Sequence, residues 1–365
     1  MPVELTLSQR KALEHVAAYA RSRKSEADQA IGDVLRLTGI GRASLDEAVA
    51  KLQAHAPVAL HFHPDRPDHS MKSVAEALLE QGEYKSQFET MLSSGSVSAY
   101  PGGERDIWEE RMFGGAYQTG GAANSERPKY GALNVMQHPE GPAPRFGSCY
   151  FLLSPAVSRR CTFTYLDSHL ERREKGTFEE FGLIAAALLK DAHYGGFAIG
   201  ERELTVQKLL GPTIDRLEKP FAGDIGGESV RNLDHYIEAQ IHGGLSLEED
   251  VELLVADPCF KGTGTGKLLE LICRRYSIRL YWHMGFFLKA DEVPTDFRGP
   301  SMPSLARRIA RNGEIDAFQI GCAAMDLKRN PAAWSGRGDY PAVLQELKQL
   351  WHVLVQYGHP RRTPE

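Results

Sequence analysis

Polar and apolar residues alternate in the stretch YIEAQIHGG, residues 236–244. Tyr236, Glu238, Gln240 and His242 occupy every second position, and the residues between them are apolar. A period of two is typical of a β-strand, because successive side chains point to opposite faces of a sheet. A carboxylate beside an amide on one face can bind a sugar hydroxyl and stabilise a developing cation. The strand is therefore a candidate catalytic surface, and a solvated edge strand is the alternative.

A second candidate site is HFHPDRP, residues 61–67, which is typical of a short strand that ends in a loop at Pro64. His61 and His63 share one face of that strand, and a pair of this spacing can bind a metal ion. Arg66 follows the strand, where its guanidinium can hold a phosphate or pyrophosphate. The alternative is a strand edge with surface histidines.

A third candidate is YKSQFETMLSSGS, residues 84–96, which combines hydroxyls, a carboxylate and an aromatic ring. Its hydroxyls can orient a sugar or a catalytic carboxylate, although the same residues also stabilise turns. Farther along, Arg145, Ser148 and Tyr150 are predicted to share an open face.

Two other motifs point to different chemistry. The run Asp167, Ser168, His169 has the residue types of a hydrolytic triad, but three sequence neighbours cannot converge as a triad must, and no GxSxG elbow is present. The segment 257–272, DPCFKGTGTGKLLELI, departs from the Walker pattern, which needs four residues between its glycines. It resembles the acetyl-CoA loop of one acetyltransferase family, so an acetyltransferase stays an alternative.

The elements that position these residues indicate an α+β fold. Helical spacing covers residues 7–53, 74–82, 177–194 and most of 301–358, whereas strands are predicted at 131–136, 149–153, 161–166 and 278–288. The segregated order argues against a doubly wound parallel sheet. We predict a central mixed or antiparallel β region flanked by N- and C-terminal helices. The predicted organisation is a helical segment at 1–56, an α+β catalytic core at 57–290 and a helical segment at 291–365.

Composition narrows the class of protein. The net charge of −5 and the pI near 6.2 argue against DNA as a partner, and no apolar stretch is long enough to span a membrane. The five cysteines are scattered and form no CxxC pair, which indicates a reducing compartment. The N-terminus lacks the apolar run of a signal peptide. We predict a cytoplasmic protein, and delivery to another cell as an effector stays open.

Most of the chain resembles an uncharacterised bacterial and fungal family of unknown function. The resemblance rests on HFHPDRP, YKSQFETMLSSG, GGERDIWEERMFGGAY, ERPKYGALNV, PRFGSCYFLL, TFTYLDSH and YIEAQIHGGLSLEEDVELLVADP. No activity comes with that family.

The order of three motifs also resembles the mono-ADP-ribosyltransferase toxins. Those enzymes carry a basic residue after a first strand, then an aromatic-Ser-Thr-Ser segment, then an ExE or QxE pair. Here Arg66 or His63, FETMLSS at 88–94 and EAQ at 238–240 take those places. The order of the last pair differs, because the family's catalytic glutamate is the second member and this chain has Gln240 there.

The resemblance implies an ADP-ribosyltransferase-like fold and cleavage of the nicotinamide–ribose bond of NAD. Glu238 is then the predicted catalytic carboxylate, with Gln240 and His242 positioning the substrate or acceptor. Arg66 binds the pyrophosphate and His63 the ribose. The remaining predicted NAD-binding residues are Tyr84, Phe88, Thr90, Ser93 and Ser148.

The sequence therefore predicts an ADP-ribosyltransferase or NAD glycohydrolase, with NAD as substrate and an unidentified acceptor such as a protein. One alternative is a metal-dependent hydrolase that uses His61 and His63. Another is a non-enzymatic binding protein that recognises its partner through exposed aromatic residues such as Trp108 or Tyr117.

Overall fold

The chain forms an α+β structure, as predicted. The computed structural model describes residues 3–91, 99–119, 121–221 and 233–360. The α-helices within these ranges are α1 (Leu7–Ser22), α2 (Lys24–Thr38), α3 (Arg42–His55), α4 (Val74–Gln81), α5 (Gln87–Thr90), α6 (Glu104–Phe113), α7 (Pro155–Ser158), α8 (Gly182–Lys190), α9 (Val206–Lys208), α10 (Leu247–Asp250), α11 (Gly264–Arg275), α12 (Met302–Ile309), α13 (Ala317–Arg329) and α14 (Tyr340–Tyr357).

Within the same described ranges, the strands form one large sheet and two small ones. They are β1 (Val58–Phe62), β2 (Lys129–Leu133), β3 (Cys149–Leu153), β4 (Cys161–Tyr165), β5 (Lys175–Gly176), β6 (Phe197–Ala198), β7 (Glu201–Arg202), β8 (Ile237–Ile241), β9 (Val251–Ala256), β10 (Arg279–Trp282), β11 (Phe287–Lys289) and β12 (Glu314–Asp316).

The large sheet has the strand order β10-β9-β3-β1-β2-β8-β4-β5. Its neighbours pair antiparallel, except that β9 and β10 are parallel. The predicted mixed sheet is confirmed, whereas its likeness to the ADP-ribosyltransferase fold stays a prediction. Strand β8 lies in the interior between β2 and β4. The alternative of an edge strand for residues 236–242 is therefore wrong.

The two faces of the sheet differ sharply in chemistry. Val58, Leu60 and Phe62 of β1 and Ile237 and Ile241 of β8 belong to the main apolar core, on the face that helices such as α8 cover. On the opposite face, the β2–β8 register aligns Tyr130 with Gln240 and Ala132 with Glu238. The β4–β8 register aligns Thr162 with Gln240 and Thr164 with Glu238. Since directly paired residues share a face, polar side chains from three adjacent strands collect on one side.

Capping explains why several predicted helices begin where they do. The Thr6 hydroxyl accepts from the N–H of Gln9 at the start of α1, and Ser73 and Glu76 form a reciprocal capping box at α4. Three helices, α1 to α3, occupy the residues 7–53 that were predicted to be helical. The helix predicted over 177–194 begins only at Gly182, because residues 177–181 turn across the core through Phe178 and Phe181.

The strand predicted over 278–288 is interrupted. Residues 283–286 leave the sheet, with Gly285 at a φ of 73°, so β10 pairs with β9 whereas β11 pairs with β12. Gly285 permits this turn, because a glycine adopts such a φ without strain whereas residues with a side chain rarely do.

The C-terminal helix α14 packs on the core instead of lying apart from it. Leu347, Leu350 and Trp351 are buried, and the indole N–H of Trp351 donates to the Pro144 carbonyl at 2.9 Å. The neighbouring helix α13 approaches the loop after β1 so closely that a Cβ on Gly321 would lie 1.6 Å from Oδ2 of Asp65. These contacts fix the loop that carries Arg66. None of the helices in the described ranges combines the length and the apolar character that crossing a membrane requires.

Candidate functional site

A cleft of about 1240 Å³ opens on the polar face of the large sheet. The end of β1, the segment around α4 and α5, helix α6, strands β2 and β8, the loop after β4 and helix α14 all contribute to its walls. Motifs that are far apart in sequence therefore meet in one space. Typical ligand clefts have volumes of roughly 300–1,000 Å³, so this one is large enough for a dinucleotide.

A pair of carboxylates lies on one wall of the cleft. Glu238 comes from β8 and Asp167 from the loop after β4. Oε2 of Glu238 accepts from the backbone N–H of Ser168 at 3.4 Å. Asp167 is held by the Tyr236 hydroxyl at 3.1 Å and by Nδ1 of His169 at 2.9 Å. The loop after β4 therefore provides hydrogen-bond donors to both carboxylates.

The two carboxylates have opposite pKa shifts. Burial raises the pKa of Glu238 to about 7, and the nearby charge of Asp167 adds to that effect. Burial opposes ionisation of Asp167 as well, but the hydrogen bond and charge of His169 outweigh it and hold the pKa of Asp167 below its ordinary value. Asp167 is therefore ionised at neutral pH, whereas Glu238 is poised between its two forms, as in enzymes that separate two carboxyl groups by environment.

A cluster of cations lies beside the carboxylates. Arg66, Arg145 and Lys348 all line the cleft. Burial, together with repulsion from Arg145, Arg66 and Arg298, lowers the pKa of Lys348 to about 8. Burial also lowers the pKa of Arg66. No hydrogen bond or ion pair from the described residues holds the Arg66 guanidinium. Positive groups that repel one another in a partly desolvated cleft favour an anionic ligand.

His352 of α14 lies near these cations, although it does not line the cleft. It is 4% exposed, and neither of its ring nitrogens has a hydrogen-bond partner among the described residues. Burial lowers the pKa of His352 to about 3, and Arg298 and Arg145 lower it as well, so the ring is neutral. An unpartnered buried ring nitrogen has a cost of about 1–3 kcal/mol.

Several residues predicted from the sequence do meet in the cleft. Arg66, His63, Tyr84, Thr90 and Glu238 line it together. Tyr84 also contacts Phe62 and Phe151 edge-on, and the Thr90 hydroxyl donates to the Ser86 carbonyl at 3.2 Å. Ser93 lies outside the described residues.

Other predicted residues lie behind the walls of the cleft. Gln240 and His242 are completely buried. Phe88 is 2% exposed, and the Arg127 guanidinium covers its ring at 4.3 Å, so that ring face is already occupied. Ser148 is also buried, and its hydroxyl lies 3.4 Å from Nδ1 of His63. None of these four residues lines the cleft. For Gln240 and His242, the alternation of polar and apolar residues did not show which polar positions of the strand are buried.

The two histidines of HFHPDRP are both buried and neutral. Nδ1 of His61 lies 3.3 Å from the Gly147 carbonyl, and its Nε2 accepts from the N–H of Ala143 at 3.3 Å. Both ring nitrogens of His61 are therefore occupied by backbone groups. Burial lowers the pKa of His61 to about 3 and that of His63 well below its ordinary value. Among the described residues, no group of three or more His, Cys, Asp or Glu side chains could hold a metal ion.

Sequence reasoning missed the contributions of α14. Lys348 and His352 lie in a segment predicted only as a flanking helix. The one available signal was His352 itself, a histidine inside the apolar run LWHVLV. The segment 257–272, considered above for acetyl-CoA, contributes nothing to the cleft walls. Tyr117, expected as an exposed aromatic, is only 2% exposed.

Comparison with models of known protein families finds a match that covers most of the chain. A family model described as "Protein of unknown function (DUF3626)" matches residues 57–357, from the first sheet strand to the end of α14. The chain belongs to this family. The matched region of this DUF3626 member contains every described element of the cleft. No curated protein matches the chain.

Proposed function

We propose that this DUF3626 member cleaves the nicotinamide–ribose bond of NAD, as an ADP-ribosyltransferase or an NAD glycohydrolase. The observation that carries the proposal is the convergence of Arg66, Thr90 and Glu238 in one cleft. These residues come from the three motifs whose order resembles the transferase toxins. Nothing in their sequence separation requires them to meet.

The charges of the cleft match the charges of NAD. The diphosphate of NAD is anionic, and the cluster of Arg66, Arg145 and Lys348 offers it guanidinium and ammonium donors. The nicotinamide ring carries a positive charge, and Glu238 and Asp167 offer it two carboxylates. Arg145 and Lys348 also influence Asp167, so the two charged regions are close neighbours.

Glu238 has a chemical role in this scheme. As nicotinamide leaves, positive charge develops on the ribose, and an adjacent carboxylate stabilises that charge more strongly in the transition state than in the ground state. A bound nicotinamide cation also favours the ionised form of Glu238, whose pKa in the free protein is about 7. Asp167 adds a second negative charge on the same wall.

The reversed order of EAQ has a physical reason in this fold. Glu238 and Gln240 share one face of β8, but only Glu238 lines the cleft. Farther along β8, helix α6 covers the sheet. There Oε1 of Glu109 on α6 accepts at 2.7 Å from the hydroxyl of Tyr130, the β2 residue that pairs with Gln240. The first position of the pair is therefore the one at which a carboxylate can contact a ligand.

The decisive experiment is release of nicotinamide from NAD by the purified full chain, measured by chromatography. Steady release supports the proposal. The ratio of free ADP-ribose to protein-linked ADP-ribose then separates hydrolysis from transfer. Complete absence of release, together with no binding of NAD in calorimetry, would contradict the proposal.

Replacing the Arg66 guanidinium tests the diphosphate site. We expect Arg66→Met to weaken binding of ADP-ribose about 10- to 150-fold, because a hydrogen bond to a charged group contributes about 1.5–3 kcal/mol. Calorimetric titration with ADP-ribose measures this effect without catalysis. Arg36→Met is the matched control, since Arg36 is an exposed arginine of α2 whose partner is Asp33. Unchanged affinity in Arg66→Met would exclude Arg66 as an anchor.

The acid–base state of Glu238 predicts a pH profile. Because the ionised form stabilises the cation, kcat/KM for NAD is expected to be level above pH 7 and to fall with decreasing pH below it. The midpoint follows from the pKa of Glu238, which burial raises to about 7. Below the midpoint the rate should decrease about tenfold per pH unit. A flat profile between pH 5 and 8 would contradict this role.

A further inference from the structure

A continuous chain of hydrogen bonds runs from Glu238 into the protein interior. Nε2 of Gln240 donates to Oε1 of Glu238 at 2.8 Å, and the Thr162 hydroxyl donates to Oε1 of Gln240 at 2.8 Å. The same hydroxyl lies 3.2 Å from Nε2 of His242, and Nδ1 of His242 lies 2.5 Å from the Tyr117 hydroxyl. Five side chains are thus linked by four contacts.

The donors of this chain all point in one direction. The Thr162 hydroxyl donates its single proton to Gln240, so it can only accept from His242. His242 is therefore the neutral tautomer with its proton on Nε2, and its Nδ1 accepts from the Tyr117 hydroxyl. Burial, together with repulsion from Lys129 and Arg160, lowers the pKa of His242 to about 3. The ring is therefore neutral. Every proton in the chain is directed toward Glu238.

The direction in which these side chains donate their hydrogen bonds suits an ionised Glu238. A carboxylate only accepts hydrogen bonds, so it needs the N–H₂ side of the Gln240 amide. A flipped Gln240 would place its oxygen against the carboxylate. The flip would also reverse the Thr162 hydroxyl, the His242 tautomer and the Tyr117 hydroxyl. Packing holds the inner end in place, because the Tyr117 and His242 rings stack with an interplanar angle of 8° and Phe113 meets His242 edge-on.

We propose that Tyr117, His242, Thr162 and Gln240 are positioning residues that hold the ionised carboxylate of Glu238 in place. The inference rests on the proposed function, since it assigns these residues a role in the reaction of Glu238. It also gives Gln240 and His242, which cannot reach a ligand, a function through Glu238. Because the donors polarise one another along the chain, loss of an inner member weakens the bond that Glu238 receives.

Other ionisable groups also face Glu238 and must be kept constant in a test. Asp167 lies in the loop after β4, Tyr130 on β2 and Tyr236 at the start of β8, and each interacts electrostatically with Glu238 or with Asp167. Arg145 and Lys348 also interact electrostatically with Asp167. None of these groups is altered by a change at Thr162.

Thr162→Val tests the proposal, because it removes the hydroxyl of Thr162 at nearly constant volume. We expect the pKa of Glu238 to rise by at least half a unit, measured in protein labelled with ¹³C-glutamate and without any substrate. Glu238→Gln identifies the resonance. Thr162→Ser keeps the hydroxyl and should restore the wild-type pKa. In the full reaction, we expect kcat to fall at least tenfold, the acid limb of the pH profile to move to higher pH, and KM to change less than threefold.

The controls separate positioning from folding. Ser158→Ala removes another fully buried hydroxyl, which donates to the Ala56 carbonyl on a different part of the core, and should leave the pKa of Glu238 unchanged. If Thr162→Val does not fold, Tyr117→Phe breaks the far end of the chain and should raise the pKa in the same direction. An unchanged Glu238 pKa in both variants would overturn the positioning role. Failure of the wild type to release nicotinamide would instead overturn the proposed function, because the pKa measurement does not depend on it.

Discussion

Glu238→Gln is expected to lower kcat for nicotinamide release by about 10³-fold, or about 4 kcal/mol of transition-state stabilisation. The amide keeps the size of the side chain and can still accept from Nε2 of Gln240. It lacks the negative charge that the developing ribosyl cation requires. Binding of ADP-ribose should change little, since the cationic cluster and not Glu238 is expected to anchor the diphosphate.

The matched control is Glu252→Gln, which removes a carboxylate from an exposed position on β9. Its rate should equal that of the wild type. If Glu238→Gln also kept the wild-type rate, the catalytic carboxylate would have to be sought elsewhere, and Asp167→Asn would become the variant to measure. A loss of ADP-ribose binding as large as the loss of rate would indicate a role in substrate binding instead of the transition state.

The sequence predicted the elements well where local physics decides them. The period of two in residues 236–242 predicted a strand with a polar face, and helical spacing predicted the helices that begin at Leu7 and Val74. These signals depend on neighbours within a few positions. The strand at 149–153 was likewise predicted with its observed bounds, because a short apolar run between turns leaves few other structures.

The composition of the site depended on contacts that no local pattern contains. Alternation along β8 could not show that α6 covers Gln240 and His242 while leaving Glu238 at the cleft. The contribution of Lys348 to the cleft depends on how α14 docks, which its apolar face allows but does not specify. The sequence predicted that the Phe88 ring stacks on a ligand, but the guanidinium of Arg127, 39 positions farther along the chain, covers that ring. The sequence therefore did not predict which of the polar side chains are buried.

Arg127→Met is expected to lower the free energy of unfolding by about 3–5 kcal/mol, the range found when one partner of a buried ion pair is removed. The Arg127 guanidinium bonds Asp106 at 2.5 Å and Glu109 at 2.9 Å, and it covers the ring of Phe88. Glu109 is completely buried. Burial raises the pKa of Glu109, and Tyr130 and Arg127 only partly offset that effect. Urea unfolding monitored by circular dichroism measures the loss.

The pH dependence of that loss identifies its cause. Without Arg127 the folded-state pKa of Glu109 should rise further above its ordinary value, so the penalty is greatest at high pH. It disappears once the pH falls below the folded-state pKa of Glu109 in the wild type, because Glu109 is then protonated in both proteins. Arg111→Met is the control, because Arg111 is an exposed arginine of α6 paired with Glu171 and should contribute about 0–1 kcal/mol. A penalty independent of pH would assign the loss to packing on Phe88 instead of charge. Glu109 also accepts from the hydroxyl of Tyr130, whose β-strand partner is Gln240, so the ion pair that stabilises α6 is connected to the strand that carries Glu238.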